Sequence, residues 1–356
     1  MIDFLVIGGG IAGVSAAARL CPYGTVTLLE AEDALAYHAS GRSAALFEEN
    51  YGQPSTVDLN RASRDFHVAS EVLSPRGLML VGSAGLADAF AADQAKMKLS
   101  PLSVDEAVAM VPILNRDVID RAAYNGDAWD IDTDRLVQTF ARMLREKGGR
   151  IVTKAGVSAI ARTKGGWTVT AGGETYAARN IVNAAGAWAD RIAEMAGIAP
   201  LGMTPLRRSM ARLPAPDDLD VSRWPMIFGP GEDWYAKPDA GALIVSPAEE
   251  DPVEPHDAYT DDMVLAEGLA RYEAHVTAPV TRLLSSWAGL RTFTPDRTLV
   301  IGPDPGERTF IWCAGQGGYG MQSSPAASRL LADLVVGHPP ELPGKTVAAL
   351  SPERLR

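Results

Sequence analysis

The stretch that most limits what this chain can fold into is its first thirty residues, Met1 to Glu30. Phe4-Leu5-Val6-Ile7 is a short apolar run suited to a strand buried on both faces of a parallel sheet. It runs straight into Gly8-Gly9-Gly10-Ile11-Ala12-Gly13, which carries G-x-G-x-x-G on Gly8, Gly10 and Gly13. Ala12 to Leu20, rich in alanine, predicts a helix, and Val26-Thr27-Leu28-Leu29 predicts a second strand ending on Glu30. Gly8 allows the tight turn, Gly10 lets backbone approach a pyrophosphate, and Gly13 lets helix and strand pack closely. The helix N-terminus offers unpaired N–H groups and a favourable dipole to that anion. Glu30, 17 residues beyond Gly13, is placed to accept hydrogen bonds from a ribose diol. Glycines alone are a weak signal, but strand, helix, second strand and acid together predict an adenine dinucleotide site.

Composition sets the outer limits. A chain of 356 residues is long enough for two domains. Its 47% apolar and 22% charged residues are those of an ordinary globular protein. A net charge of -11 disfavours unspecific binding to nucleic acid or anionic membrane. Two cysteines, Cys21 and Cys313, build no disulfide framework, so a reduced, cytoplasmic setting is expected. The first strand begins at once, so no signal peptide is expected. No apolar run approaches the roughly 20 residues of a transmembrane helix, and no internal repeat or metal-ligand cluster stands out.

Beyond Glu30, Tyr37 to Ala45 is small and polar, with Gly41 and Arg42, and reads as a surface loop or as a loop touching an extended ligand. Helices are predicted over Thr56–Ser70, about Gly85–Lys96, Val104–Met110 and Thr133–Lys147, the last with Thr133 as N-cap and Gly148-Gly149 as its stop. Lys164-Gly165-Gly166 predicts a hairpin turn. Asn180-Ile181-Val182-Asn183 predicts a buried strand closing on Ala184-Ala185-Gly186-Ala187-Trp188, a second strand–turn–helix unit. From Gly197 to about Trp287 antiparallel strands are expected, with Trp224, Phe228, Trp234 and Tyr235 either shaping a substrate site or forming plain core. A helix over Tyr259–Thr277 follows, and Ser286–Thr292 is expected to return to the first domain. The strand pair Thr298–Gly302 and Thr309–Trp312 leads into Cys313 to Gly320 and a final amphipathic helix, Gln322–Val336. That late glycine loop at a helix start is a second anion site.

These stretches together resemble the D-amino acid oxidase superfamily of flavoproteins, in the branch that holds glycine oxidase, sarcosine oxidase and bacterial D-arginine dehydrogenase. The matches are Leu5–Gly13, Tyr37–Ala45, Asp130–Asp134, Val182–Trp188, Lys237–Gly241, Trp287–Phe293 and Gln316–Gln322, in order along nearly the whole chain. The resemblance implies non-covalent FAD, since Arg291 lies near the position of the flavin-linking cysteine of sarcosine oxidases. It implies an α/β fold, with a Rossmann-like FAD domain (1–75, 130–200 and 290–356) and an antiparallel-sheet substrate domain (76–129 and 201–289). It places the FAD-facing positions at Gly8, Gly10, Ile11, Ala12, Gly13, Glu30, Ala31, Gly41, Arg42, Ser43, Ala44, Ala45, Val157, Ala184, Gly186 and Trp188. The late loop adds Gly315, Gly317, Gly318, Tyr319, Gly320, Met321 and Gln322.

The resemblance also implies a reaction, the oxidative deamination of a D-amino acid by hydride transfer from Cα to flavin N5. Arg208 and Arg291 match two arginines that clamp the substrate carboxylate, a task suited to a planar fork of donors. Tyr51 and Tyr235 match tyrosines over the substrate, and Gly318 the carbonyl that holds its amine. Leu46, Glu48, Leu78, Met226 and Phe228 fall on pocket positions. Leu78 stands where D-arginine dehydrogenase has an acid for the guanidinium, which argues against a D-arginine specialist. Glu48, beside Glu49, reads equally as a surface acid and as a new partner for a cationic or hydroxylated side chain. None of the five histidines is placed as a base. The alternatives are a glycine- or sarcosine-type secondary amine or imino acid oxidase, a non-catalytic FAD-binding subunit, and an NAD-dependent dehydrogenase. The electron acceptor, oxygen or a quinone, is left open, and the partner is otherwise a small amino acid or amine.

Overall fold

The computed structural model describes residues 1–216 and 219–356. Ile2–Ile7 and Val26–Leu29 are neighbouring parallel strands joined by the helix Ile11–Leu20. The end of Glu174–Asn183 lies parallel on the other side of Ile2–Ile7, with Phe310–Ala314 parallel beyond it and Val300–Pro303 antiparallel at that edge. Arg150–Val152 extends the opposite edge. The apolar run of the first strand is explained by what covers it. Phe4 and Val6 pack on the layer built from helices Ile11–Leu20, Thr133–Glu146 and Gly320–Val336. Leu5 and Ile7 face the hairpin Val157–Thr163/Gly166–Ala171 and the helix Ala189–Met195. Each such side chain, fully buried, stabilises the fold by about 1.5–3 kcal/mol.

Among the described residues the second sheet has nine strands. Thr204–Pro214, Ala242–Ser246, Tyr235–Asp239 and Met226–Phe228 run side by side antiparallel, then Leu78–Gly82 joins Met226–Phe228 in parallel. Arg121–Asn125 and Ser100–Leu102 complete that side. Alternation along each strand separates two faces. Met79, Val81, Ile227 and Ala236 face the helices Val104–Met110 and Asp262–Ala274. Leu78, Leu80, Phe228, Tyr235 and Met210 face the other way. A small sheet of Leu46–Phe47, Trp129–Ile131 and Leu73–Pro75 stands apart from both.

Several expectations are corrected. The cap of Thr133–Glu146 is Asp132, whose carboxylate accepts the Arg135 N–H at 2.9 Å, so Thr133 is the first helical residue. Ser286–Thr292 does not return to the first sheet, because Ser285–Phe293 pairs with Thr204–Pro214 along its whole length. The final helix is not amphipathic. Gly320–Val336 lies between the helices Ile11–Leu20 and Pro54–Ala69 and is buried on nearly all sides as far as Ala332. Its buried Ser323, Ser324 and Ser328 donate back to the carbonyls of Tyr319, Met321 and Pro325, which removes the cost of burying hydroxyls. Among the described residues no helix is long and apolar enough to cross a membrane.

Candidate active site

A cavity of about 510 Å³ lies over the first glycine turn. Its wall includes the expected Gly8, Gly10, Glu30, Ala31, Arg42, Val157, Ala184, Gly186 and Trp188. Gly8 has φ +108°, and a methyl there would run into the Ala184 carbonyl. A methyl on Gly13 would overlap the carbonyl of Gly8, which is why helix and strand can lie so close. Glu30 is buried, and its carboxylate accepts the N–H groups of Gly9 at 2.6 Å and Glu32 at 2.8 Å. Each oxygen keeps a further acceptor direction. Arg42 is committed to the protein. It donates to the carbonyls of Ala258 and Ala288, both at 3.0 Å, and pairs with Asp257 at 2.5 Å, which clasps the loop after the second strand to the second sheet.

Sequence reasoning missed part of this wall. Ser40 Oγ accepts the Ile11 N–H at the helix start, at 3.0 Å. His38 pairs with Glu32 at 2.9 Å and leans on Trp188 with ring centroids 4.8 Å apart. Ala155 and Gly156 face the cavity from beside the hairpin. Ser40 and His38 lie in the matching stretch Tyr37–Ala45 but are not singled out within it, whereas Ala155 and Gly156 belong to no motif and only the folded chain brings them to the glycine turn.

A second cavity, of about 90 Å³, is lined by Ser43, Ala44, Ala45, Leu46, Glu48, Tyr51, Leu78, Met97, Met226, Phe228, Glu232, Tyr235, Arg291 and Gly318. It thus unites the substrate positions inferred from the resemblance, Arg208 excepted, and adds Met97 and Glu232. The paired strands explain the two arginines. Arg208 stands opposite Gly289 and Arg291 opposite Leu206, so both side chains leave the same face of adjacent strands. Arg291 enters none of the ion pairs among the described residues. Arg208 is 5% exposed, set behind the lining, with Nη2 3.3 Å from Glu250 Oε1 and with Nε and Nη1 buried and unpartnered among the described residues. Burial and the charge of Arg291 lower the Arg208 pKa from its ordinary value. Gly318 is packed under Arg291, and a methyl there would sit 3.0 Å from Cζ.

The tyrosines are anchored differently. Tyr51 donates to Glu232 Oε2 at 2.8 Å and meets Tyr319 edge-on, with centroids 5.2 Å apart. Burial, then the Glu232 charge, pushes the Tyr51 phenol well above its usual range. Tyr235 points its hydroxyl at Met210 Sδ, 3.4 Å away. Glu232 follows Gly231 in a turn where both have positive φ, +55° and +75°. The Gly-Pro-Gly-Glu run is the only local sign of such a turn.

Glu48 is 2% exposed, so it is not a surface acid. The neighbouring Glu49 is the outward one, and pairs with Arg64 at 2.8 Å. Of the remaining positions expected to face FAD, Ile11, Ala12 and Met321 are core side chains, and Gly41, Gly315, Gly317 and Gly320 shape backbone outside both cavities. Tyr319 packs between Tyr51 and Phe293. Gln322 is buried, with its Oε1 accepting the Glu48 N–H at 3.1 Å.

Known proteins share much of this sequence and this fold. Human mitochondrial dimethylglycine dehydrogenase is 25% identical over 95% of the chain, which spans only 43% of that larger protein. Glycine oxidase of Pseudomonas putida is 25% identical over 94% of this chain and 95% of its own. The crystal structure of L-proline dehydrogenase from P. horikoshii superposes with a TM-score of 0.85 at 21% identity, over 99% of this chain and 97% of that one. The sequence profile described as "FAD dependent oxidoreductase" (DAO) matches residues 3–334. The chain belongs to this family of FAD-dependent oxidoreductases, and FAD is its cofactor.

Proposed function

We propose that this protein oxidises the Cα–N bond of a D-amino acid held in the second cavity. The observation that carries the reading is the arginine pair. Two guanidinium groups on one sheet face, which among the described residues are one in the cavity wall without an acid partner and one with orphaned buried nitrogens, call for a planar anion. A substrate carboxylate supplies it. The Gly8–Gly10 turn, Glu30 and the Ala184–Trp188 turn would hold the dinucleotide part of FAD, and the Ser43–Ala45 and Gly318 backbone its other end. The first sheet would then be the cofactor unit and the second the substrate unit.

FAD, when bound, accepts a hydride. The protein's own part is to orient and to desolvate. Arg291 and Arg208 fix the carboxylate, and the Gly318 carbonyl is available to accept from the amine. Tyr51, held by Glu232, closes the cavity beside them. The organic product, an imino acid, hydrolyses in water to a keto acid and ammonia. No protein base is needed at Cα.

A second reading, a glycine- or sarcosine-type secondary amine oxidase, is favoured by the small cavity and the apolar Leu46, Leu78, Met226 and Phe228. Anaerobic mixing of the yellow protein with D-, L- and N-methyl amino acids tests both. Bleaching by D-amino acids supports the first reading, bleaching by glycine and sarcosine alone the second, and readmitted air sorts oxidase from quinone-linked dehydrogenase. Replacing Arg291 by Ala should raise KM for any carboxylate substrate by about 10²-fold while FAD content stays. Equal loss of both would refute the clamp.

A further inference from the structure

We infer that Glu48 makes this pocket selective for substrates whose short aliphatic side chain ends in a cation. The inference rests on the second cavity being the substrate pocket. Glu48 lines that cavity and is 2% exposed, yet every partner it has is neutral. Its carboxylate accepts the Asn50 N–H at 2.8 Å, the Asn50 side-chain amide at 3.1 Å and the Asn125 amide at 3.2 Å. No cation pairs with it among the described residues. A carboxylate has about four acceptor directions, so three are filled and one is left for a ligand.

The held geometry suits a binding group. The Glu48 main chain is pinned by Gln322, and Asn125 is anchored directly opposite Leu78 across paired strands, so both the carboxylate and the amide it accepts from are carried by fixed backbone. Burial raises its pKa from the ordinary value, and the Asn50 and Asn125 hydrogen bonds oppose that rise. The wall around it is apolar, with Leu46, Leu78, Met97, Met226 and Phe228. The cavity's other acid, Glu232, already accepts from the Tyr51 hydroxyl, so the apolar sleeve beside Glu48 matches methylenes that end in an ammonium or guanidinium. A purely hydrocarbon side chain would instead leave the buried charge facing grease, which is the costlier arrangement.

The test compares anaerobic flavin reduction by D-ornithine, D-norvaline, which lacks only the terminal amine, and D-5-hydroxynorvaline. D-Ornithine should exceed D-norvaline by about 10²-fold in kcat/KM, and Glu48→Gln should bring that ratio to within about threefold. Glu48→Asp, which keeps the charge, should retain part of the preference and guards against a Glu48→Gln protein that fails to fold. Equal reduction by D-ornithine and D-norvaline in the unaltered holoenzyme overturns the role of Glu48 and leaves the amino acid reading intact. So does a preference for the hydroxyl compound. If no amino acid bleaches the flavin, the underlying reading falls, and this one with it.

Discussion

Gly318→Ala is a narrow probe of the carboxylate clamp. Gly318 does not sit at positive φ, so alanine can adopt its backbone without strain. Its methyl would lie 3.0 Å from Arg291 Cζ and Nη1 and 3.3 Å from Nε. Ordinary contacts begin near 3.5–4.0 Å, so the guanidinium must retreat by roughly 0.5–1 Å. It is the free end of a flexible side chain, so the fold should survive. The clamp should not, since a misplacement of about 1 Å costs on the order of 10²-fold. We expect kcat/KM for the best amino acid to fall by about 30- to 100-fold in anaerobic stopped-flow reduction, with the absorbance ratio at 450 and 280 nm and Tm unchanged. Gly317→Ala provides the contrast, because φ +52° and the Phe293 ring oppose it, and it should lose FAD and stability instead. A Gly318→Ala enzyme within about threefold of the parent would refute the assignment of Arg291.

Gly13→Ala should cost about 3 kcal/mol or more and abolish FAD retention, because its methyl meets backbone that cannot give; thermal melting and flavin content report it. Cys313 is 1% exposed, and burial pushes its thiol up to about 12. Iodoacetamide at pH 8 should therefore leave it unmodified until the protein unfolds, as peptide mass mapping would show. His67 is wholly buried, and burial lowers its pKa, although it donates from Nε2 to the Gln322 carbonyl at 2.8 Å. Below about pH 6.5 the unfolded chain takes up a proton that the folded one resists, so stability should fall there. The slope of Tm against pH between 7.5 and 5.5 should flatten in His67→Gln, and an unchanged slope would exclude His67 as the cause.

Local signals carried far in this chain. The glycine turn, its flanking strands and the acid at position 30 are fixed by steric needs within thirty residues, and the structure keeps them. The arginines at 208 and 291 were legible as motif positions. Their common face was not, because it depends on the register of two strands about eighty residues apart in sequence. For Glu48, beside Glu49, the sequence left a surface acid and a pocket acid equally open, and the fold that follows the short strand Leu46–Phe47 turns Glu48 inward and Glu49 outward. Glu232 was invisible for a related reason. Its place beside Tyr51 follows from a left-handed turn closing over a distant loop. The last helix read as amphipathic, whereas the bonds of its serines to the preceding turn let them be buried.

The second cavity draws its two ends from different parts of the scaffold. Arg208 and Arg291 belong to one long strand pair, whereas the side-chain wall comes from Leu46 and Glu48 in one place and Leu78, Met226 and Phe228 in another. Directed evolution can exploit that division of labour. Saturating positions 46, 48, 78, 97, 226 and 228 would sample new substrate scope while the glycine cradle and the guanidinium pair stay as they are, so most members of such a library should still purify yellow.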